Sequence, residues 1–260
     1  MRGIEKLKSL YRGLNAERQV LLQKYPYRVQ CNVCGWKGRH LSSDSWHPYA
    51  TCPRCGSGVR HRLLFAALDT NSGLGFKTLI QGKRILHFAP EPLIAQYLVE
   101  RAARYVSADF FRDDVDMRMD MSDMRDIADG SFDLVVACDV LEHIPDDSAA
   151  LHEIHRVLAV SGSALLTVPQ KDNLAATYCD DTVTTAEGRH DAFGQEDHLR
   201  IYGDDFHQFL RAHGFVVTIV DESSFDAELV RKNVLFPPIL STHPLATNHR
   251  KVYFAQKKTA

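Results

Sequence analysis

Four of the six cysteines stand in two matched pairs, CNVC at 31–34 and CPRC at 52–55, with seventeen residues between them. A C-x2-C turn brings two sulfurs to one side, and two such turns at this spacing form a zinc-site pattern. A glycine follows each pair, Gly35 and Gly56, and glycine permits the tight backbone such a turn needs. The expectation is a structural Zn2+ held by Cys31, Cys34, Cys52 and Cys55. Four thiolates leave no open position, which argues against a catalytic zinc. His40, His47 and His61 stand nearby in sequence, but the four cysteines already close the shell. Two disulfides are the alternative; the absence of a secretory pattern weighs against them. A redox role for one pair is weakened by the presence of the second. Cys138 lies in an apolar run, FDLVVAC, and reads as a small core residue, and Cys179 reads as ordinary.

Two histidines have the surroundings of a proton acceptor. His143 lies in CDVLEHIPDD, and His198 lies in FGQEDHLRIYG at 193–203, between Asp197 and Arg200. An imidazole accepts a proton near neutral pH, and an adjacent carboxylate orients it. His198, His143 and Asp197 are therefore the candidate catalytic groups, for a hydroxyl or amine nucleophile. Gln195, Arg200 and Tyr202 are candidate acceptor-binding residues in the same segment. The plainer readings are a loop-capping His143 and a salt-bridged start to a helix for Asp197, His198 and Arg200. Asp139 and Glu142 read as loop-shaping or cofactor-touching.

A third stretch, LHFAPEP at 86–92, occupies the place of a nucleotide-binding glycine loop but holds no glycine. Three glycines let backbone approach a pyrophosphate, so their absence argues against NAD or FAD. A cofactor without phosphates has less need of them, and S-adenosylmethionine is one. His87, Ala89, Pro90 and Glu91 are then the candidate cofactor-binding residues of this turn. Asp109 ends the next apolar strand, where an acid accepts both ribose hydroxyls. Asp120, followed by Met121, comes just past a third strand and would meet the adenine amino group.

These residues need a scaffold that gathers loops at one edge. From residue 80 the pattern alternates: strands at 84–88, 105–109, 115–119, 132–138, 163–169, 215–220 and 251–256, with helical spacing at 92–103, 147–159 and 203–213. Near-continuous apolar strands separated by helices indicate a mostly parallel sheet covered on both faces. The last two strands follow one another without a clear helix, which suggests an antiparallel edge. The expected organisation is a helical segment over 1–28, a zinc ribbon over 29–60, a connecting helix and linker over 61–79, and an α/β domain over 80–260. The segment 221–250 has Pro237-Pro238 and little periodicity.

With these landmarks placed, the chain resembles the class I S-adenosylmethionine-dependent methyltransferases of the methyltransferase type 11 kind. DGSFDLVVACDVLEHIPDD is similar to that family's fourth-strand signature and HRVLAVSGSALLTVP to its fifth. LHFAPEP aligns with its first motif, normally acid–x–Gly–x–Gly–x–Gly; here His87 replaces the acid, and Ala89 and Glu91 stand at the first two glycines. The resemblance covers about residues 29–220, and a narrower subgroup shares the ribbon, the HFAPE loop and the FGQEDHLRIYG segment. It implies a Rossmann-like seven-stranded sheet with helices on both faces, and methyl transfer from S-adenosylmethionine.

The acceptor is narrowed by what is missing. The place after the fourth strand reads ACDVLEHIP, not the Asn/Asp-Pro-Pro-aromatic segment of amino-purine or glutamine methylation. Cys138 has no activating partner for cytosine C5 chemistry. A hydroxyl or amine on a small molecule or glycan remains. Residues 1–62 carry twelve Lys/Arg against three acids, formally +9, leaving −11 for the rest. This makes an RNA or ribosome-associated acceptor the second reading, although docking of the basic part on the acidic part of the same chain is the favoured account of the charge. A non-catalytic cofactor-binding scaffold is the third. A 45% hydrophobic and 25% charged composition is that of a soluble globular protein. Without a signal pattern or long apolar run, the expected location is cytoplasmic, with no membrane contact.

Overall fold

The computed structural model describes residues 29–43, 47–69 and 74–258. The helix expected over 1–28, and the Asn71 and Gly73 stop signals, lie outside the described residues. Within them no helix is long and apolar enough to cross a membrane. The chain forms two compact units. One comprises the described residues through Ala66 together with Asp221–Arg250; the other runs from Ala67 to Val220 and resumes at Lys251.

The first unit holds β1 (Val29–Gln30) antiparallel to β2 (Lys37–Gly38), and a Ser42–Thr51 bridge. The helix α1 (Val59–Leu68) begins in this unit. Arg62 organises it. The side chain is fully buried, and its guanidinium donates to the carbonyls of Ser57, Ala50, Asn233 and Val234. Burial lowers its pKa to about 10, partly offset by Cys31, Cys52 and Cys55, so it stays charged at neutral pH. These bonds make residues 233–234 part of the cysteine-bearing unit, a membership that their sequence does not announce.

The second unit is built on seven strands: β3 (Arg84–Phe88), β4 (Arg104–Asp109), β5 (Met117–Arg118), β6 (Phe132–Cys138), β7 (Leu158–Thr167), β10 (Phe215–Val220) and β11 (Val252–Lys257). Their order is β10-β11-β7-β6-β3-β4-β5. The pairs from β7 through β5 are parallel, while β11 runs antiparallel to both β7 and β10. Leu134–Cys138 and Ala164–Val168 are buried almost without a break, as strands covered on both faces must be. This is the expected Rossmann-like class I methyltransferase sheet.

Helices α2 (Pro92–Val99), α3 (Asp147–Val157) and α5 (Phe206–Ala212) flank it, α2 and α3 returning the chain to β4 and β7. In α3 the Asp146 carboxylate caps the Ala149 N–H at 2.8 Å, and Ala150, Leu151, Ile154 and Val157 form the buried stripe. A smaller pair, β8 (Tyr178–Cys179) and β9 (Arg200–Ile201), brackets α4 (Ala186–Phe193).

Several boundaries differ from the sequence pattern. The third strand keeps only Met117 and Arg118, because the Asp116 carboxylate takes the Ser107 N–H that a ladder would use, along with the Ser107 hydroxyl. The fifth strand starts at Leu158, directly after α3, rather than at 163. The helix of 92–103 stops at Val99, beyond which the Ala103 and Arg104 amides donate to the Lys83 carbonyl and start β4.

Candidate active site and the four-cysteine cluster

The carboxyl ends of β3, β4 and β6 gather most of the candidate cofactor residues. Strand order reverses between β3 and β6, and ligands of such sheets bind beyond the strand ends at that reversal. Ala89, the first residue past β3, takes a left-handed conformation with φ +46°, which glycine adopts far more readily. Its amide donates to the Ala108 carbonyl at 2.9 Å. The next carbonyl, that of Pro90, accepts from Arg112 Nη1 at 3.0 Å. Glu91 precedes α2, whose first residue is Pro92. The loop is therefore fixed to β4 and to the turn after it.

Asp109 ends β4. Its Oδ1 accepts the Phe111 and Arg112 amides at 2.8 and 3.0 Å, which shapes the turn. Phe110 and Phe111 follow, exposed and edge-to-face at 4.8 Å, an aromatic pair that sequence reading passed over. Asp120 Oδ1 accepts the Ser122 amide and hydroxyl, and Met121 is buried. Asp139, past β6, has φ +53° and accepts the Thr167 hydroxyl at 2.8 Å. His87 is different: it is fully enclosed, with Nδ1 2.9 Å from the Tyr105 hydroxyl. Burial lowers its pKa to about 4, so the ring is neutral within the packed sheet.

The two candidate catalytic histidines are brought together. Leu141–His143 forms a single 3-10 turn after β6, and the Leu199 amide donates to the Glu142 carbonyl at 2.9 Å. This aligns residues 197–200 beside the turn. The His143 and His198 rings meet edge-to-face at 4.7 Å. His143 Nδ1 lies 3.2 Å from Asp197 Oδ2. His198 is 2% exposed; its Nδ1 lies 3.1 Å from the Phe193 carbonyl, which can only accept, so that nitrogen carries the proton. Burial lowers the His198 pKa. Its Nε2 stands 4.0 Å from Oε1 of Glu142, whose side chain is 0% exposed. The sequence reads Glu142 as loop-shaping or cofactor-touching; that its carboxylate lies within 4.8 Å of a ring nitrogen of both histidines appears only in the fold.

The three candidate acceptor residues take different places. Arg200 is buried and donates to the carbonyls of Leu141, Ile144 and Pro145, with Nε 3.5 Å from Asp147. Buried Tyr202 donates its hydroxyl to Asp147 Oδ2 at 2.7 Å. Both side chains hold the turn around His143 in place. Gln195 is exposed, and its carbonyl accepts the His198 amide.

In the other unit, the four sulfurs of Cys31, Cys34, Cys52 and Cys55 lie within 4.8 Å of one another, and all four cysteines are free. Cys31–Cys55 and Cys34–Cys52 are 3.7 Å apart. A disulfide needs about 2.05 Å; the edge of a tetrahedron with Zn–S bonds of 2.3 Å is about 3.8 Å. The two turns repeat one design. Gly35 and Gly56 have φ +74° and +73°, and each donates to the carbonyl of its first cysteine at 2.8 and 2.9 Å. Burial pushes the Cys34 thiol up to about 12. Its donor set and spacing fit a tetrahedral soft metal.

Residues 89–166 match the family model described as a methyltransferase domain. The match spans the stretch from the Ala89 loop to β7. The enzyme class indicated is an S-adenosylmethionine-dependent methyltransferase, on the seven-stranded sheet described above. No curated protein matches the chain. Among solved structures, the chain is similar to the [4+2]-cyclase SpnF at 16% identity and a TM-score of 0.51, covering 85% of this chain and 86% of that one. That likeness shows the fold. It is also similar to the Burkholderia thailandensis 1,6-didemethyltoxoflavin-N1-methyltransferase, solved with 1,6-didemethyltoxoflavin and S-adenosylhomocysteine, at 16% identity, a TM-score of 0.47 and coverage of 75% and 79%. An S-adenosylmethionine-dependent methyltransferase of Mesorhizobium loti gives 14% identity, a TM-score of 0.48 and coverage of 73% and 100%.

Proposed function

We propose that this methyltransferase domain transfers the methyl group of S-adenosylmethionine to a hydroxyl or amine of a small-molecule or glycan acceptor. The cofactor supplies an already activated methyl on its sulfonium, so the protein's main task is to position the acceptor. The observation that carries the acceptor class is the His143–Asp197 pair beside His198 at the carboxyl end of β6. A hydroxyl or a protonated amine must lose a proton before or during attack, and a carboxylate-oriented imidazole takes it.

The cofactor residues follow the edge of the sheet. The loop of Ala89, Pro90 and Glu91 would receive the methionine end, Asp109 the ribose hydroxyls, and Asp120 with Met121 the adenine. The left-handed Ala89 supports this, since it reproduces with alanine the backbone shape for which glycine is commonly used. Asp139 would close the site beside Thr167. His87 would act from beneath, by packing. For the cysteine cluster, the near-tetrahedral sulfur spacing supports a structural Zn2+.

Calorimetric titration of the zinc-loaded protein with S-adenosylmethionine tests the reading, alongside Asp109→Ala. Saturable one-site binding that is lost or much weakened in the variant is expected. No binding by the folded parent protein would overturn it.

A further inference from the structure

Glu142, His143 and His198 form a second metal-ligating cluster, separate from the cysteines. One ligand atom from each lies within 4.8 Å of the other two. We propose that these three residues bind a divalent first-row cation, with two imidazoles and one carboxylate as protein ligands. Three features carry this. First, His198 Nδ1 is committed as donor to the Phe193 carbonyl at 3.1 Å, which leaves the lone pair on Nε2. That atom is buried and has no hydrogen-bond partner among the described residues. Second, the His143 Nδ1 is held by the Asp197 carboxylate at 3.2 Å. A carbonyl on one ring and a carboxylate on the other are the outer partners that fix a metal-bound histidine. Third, His198 Nε2 and Glu142 Oε1 stand 4.0 Å apart. This is too long for a hydrogen bond. It is within ~1 Å of the roughly 3.0–3.4 Å between neighbouring ligands on one cation with bonds near 2.1 Å.

Two histidines and one carboxylate leave positions open for oxygen donors, and imidazole with carboxylate suits Mn2+, Fe2+, Co2+ or Zn2+ rather than Ca2+. The cluster sits on the same turn as the proposed acceptor site, so an oxygen-bearing acceptor is what would meet the open positions; with the cation bound, both ring nitrogens of His143 are engaged, and the cation rather than that ring would lower the acceptor's hold on its proton. That last step rests on the methyl-transfer reading; cation binding itself does not.

The test uses the full chain with its cysteine cluster loaded with zinc, so that the soft site is already filled. Mn2+ is titrated and the free ion followed by its paramagnetic resonance; Co2+ is titrated in parallel and followed by its visible absorption. One equivalent of either ion bound without thiolate charge-transfer bands is expected. His143→Ala and Glu142→Gln should weaken it beyond detection, and Asp197→Asn by roughly tenfold. Because His143 is half-exposed, His143→Ala is a variant that should fold even if Glu142→Gln does not. Failure of both ions to bind, or binding unchanged in His143→Ala, would overturn the proposal. S-adenosylmethionine binding is measured on the same samples. Cation binding without cofactor binding would sink the methyl-transfer reading alone, and cofactor binding without cation binding would sink the cation site alone.

Discussion

His143 and Asp197 face each other at 3.2 Å, although one lies on the turn after β6 and the other in the segment before β9. The Asp197 side chain is 71% exposed, so the pair adds little to stability; its value lies in aiming the ring. His143→Ala should lower kcat/KM on an accepted hydroxyl or amine by about 100-fold or more, the usual share of a positioned base. Asp197→Asn should lower it about tenfold, with Asp197→Glu restoring part of the loss. Melting temperatures should stay within a few degrees for all three. A parent-like rate in His143→Ala would remove the pair from the proton path.

Arg62 gives the strongest stability prediction. Its guanidinium serves four buried carbonyls, two of them on residues 233 and 234. Arg62→Met would leave those acceptors unsatisfied, at roughly 1–3 kcal/mol each. We expect a loss of about 3 kcal/mol or more in the cysteine-bearing unit, read by thermal unfolding, and faster zinc loss to a chelator. Arg62→Lys should rescue little, because one ammonium cannot reach the span of a planar fork. Parent-like stability in Arg62→Met would show that those carbonyls find other donors.

The contrast between Arg62 and the sheet shows what the sequence makes legible. RILHF, FDLVVAC and FVVTIV are apolar runs whose length and spacing already declare strands, and the structure returns each with the same limits. The C-x2-C-G pairs declare their turns for the same local reason. Arg62, by contrast, reads as one of twelve basic residues near the start of the chain. Its acceptors lie on residues 233 and 234, and no local pattern encodes that distance. Glu142 is similar: its role depends on His198 reaching across from a different loop. The shortened third strand depends on a side chain, Asp116, competing for a ladder amide, which periodicity does not register.

Ala89 allows a test of the glycine-free loop. A left-handed backbone costs a non-glycine residue of order 1 kcal/mol, and Ala89 carries that strain at φ +46°. Ala89→Gly relieves it but gives back entropy in the unfolded chain. The expected net change in stability is within ~1 kcal/mol, with S-adenosylmethionine affinity retained. Ala89→Val should be worse on both counts, since branching at Cβ is least tolerated at positive φ. A cofactor site that vanishes in Ala89→Gly would mean that the loop works through the Ala89 methyl rather than through its backbone.

His87 sets a pH dependence of stability whose sign follows from its environment. Burial holds the folded-state pKa near 4, against an ordinary value of 6.5. Between those values the unfolded chain binds a proton that the folded one refuses. Stability from this group is therefore complete above pH 6.5 and is lost as pH falls toward 4, by about 3 kcal/mol. The Tyr105 hydroxyl at 2.9 Å can pair with the neutral ring, and Glu91 pulls weakly the other way. Denaturant unfolding at pH 7 and pH 4.5 should show a steeper drop in the parent than in His87→Gln. The carboxylates held low by arginines, such as Asp133 beside Arg84 and Glu153 beside Arg156, begin to cost stability as pH falls through their ordinary values of 3.8 and 4.5, but they are common to both proteins and cancel in the comparison. Equal slopes for parent and variant would place a charged, solvated imidazole where the structure has a neutral, enclosed one.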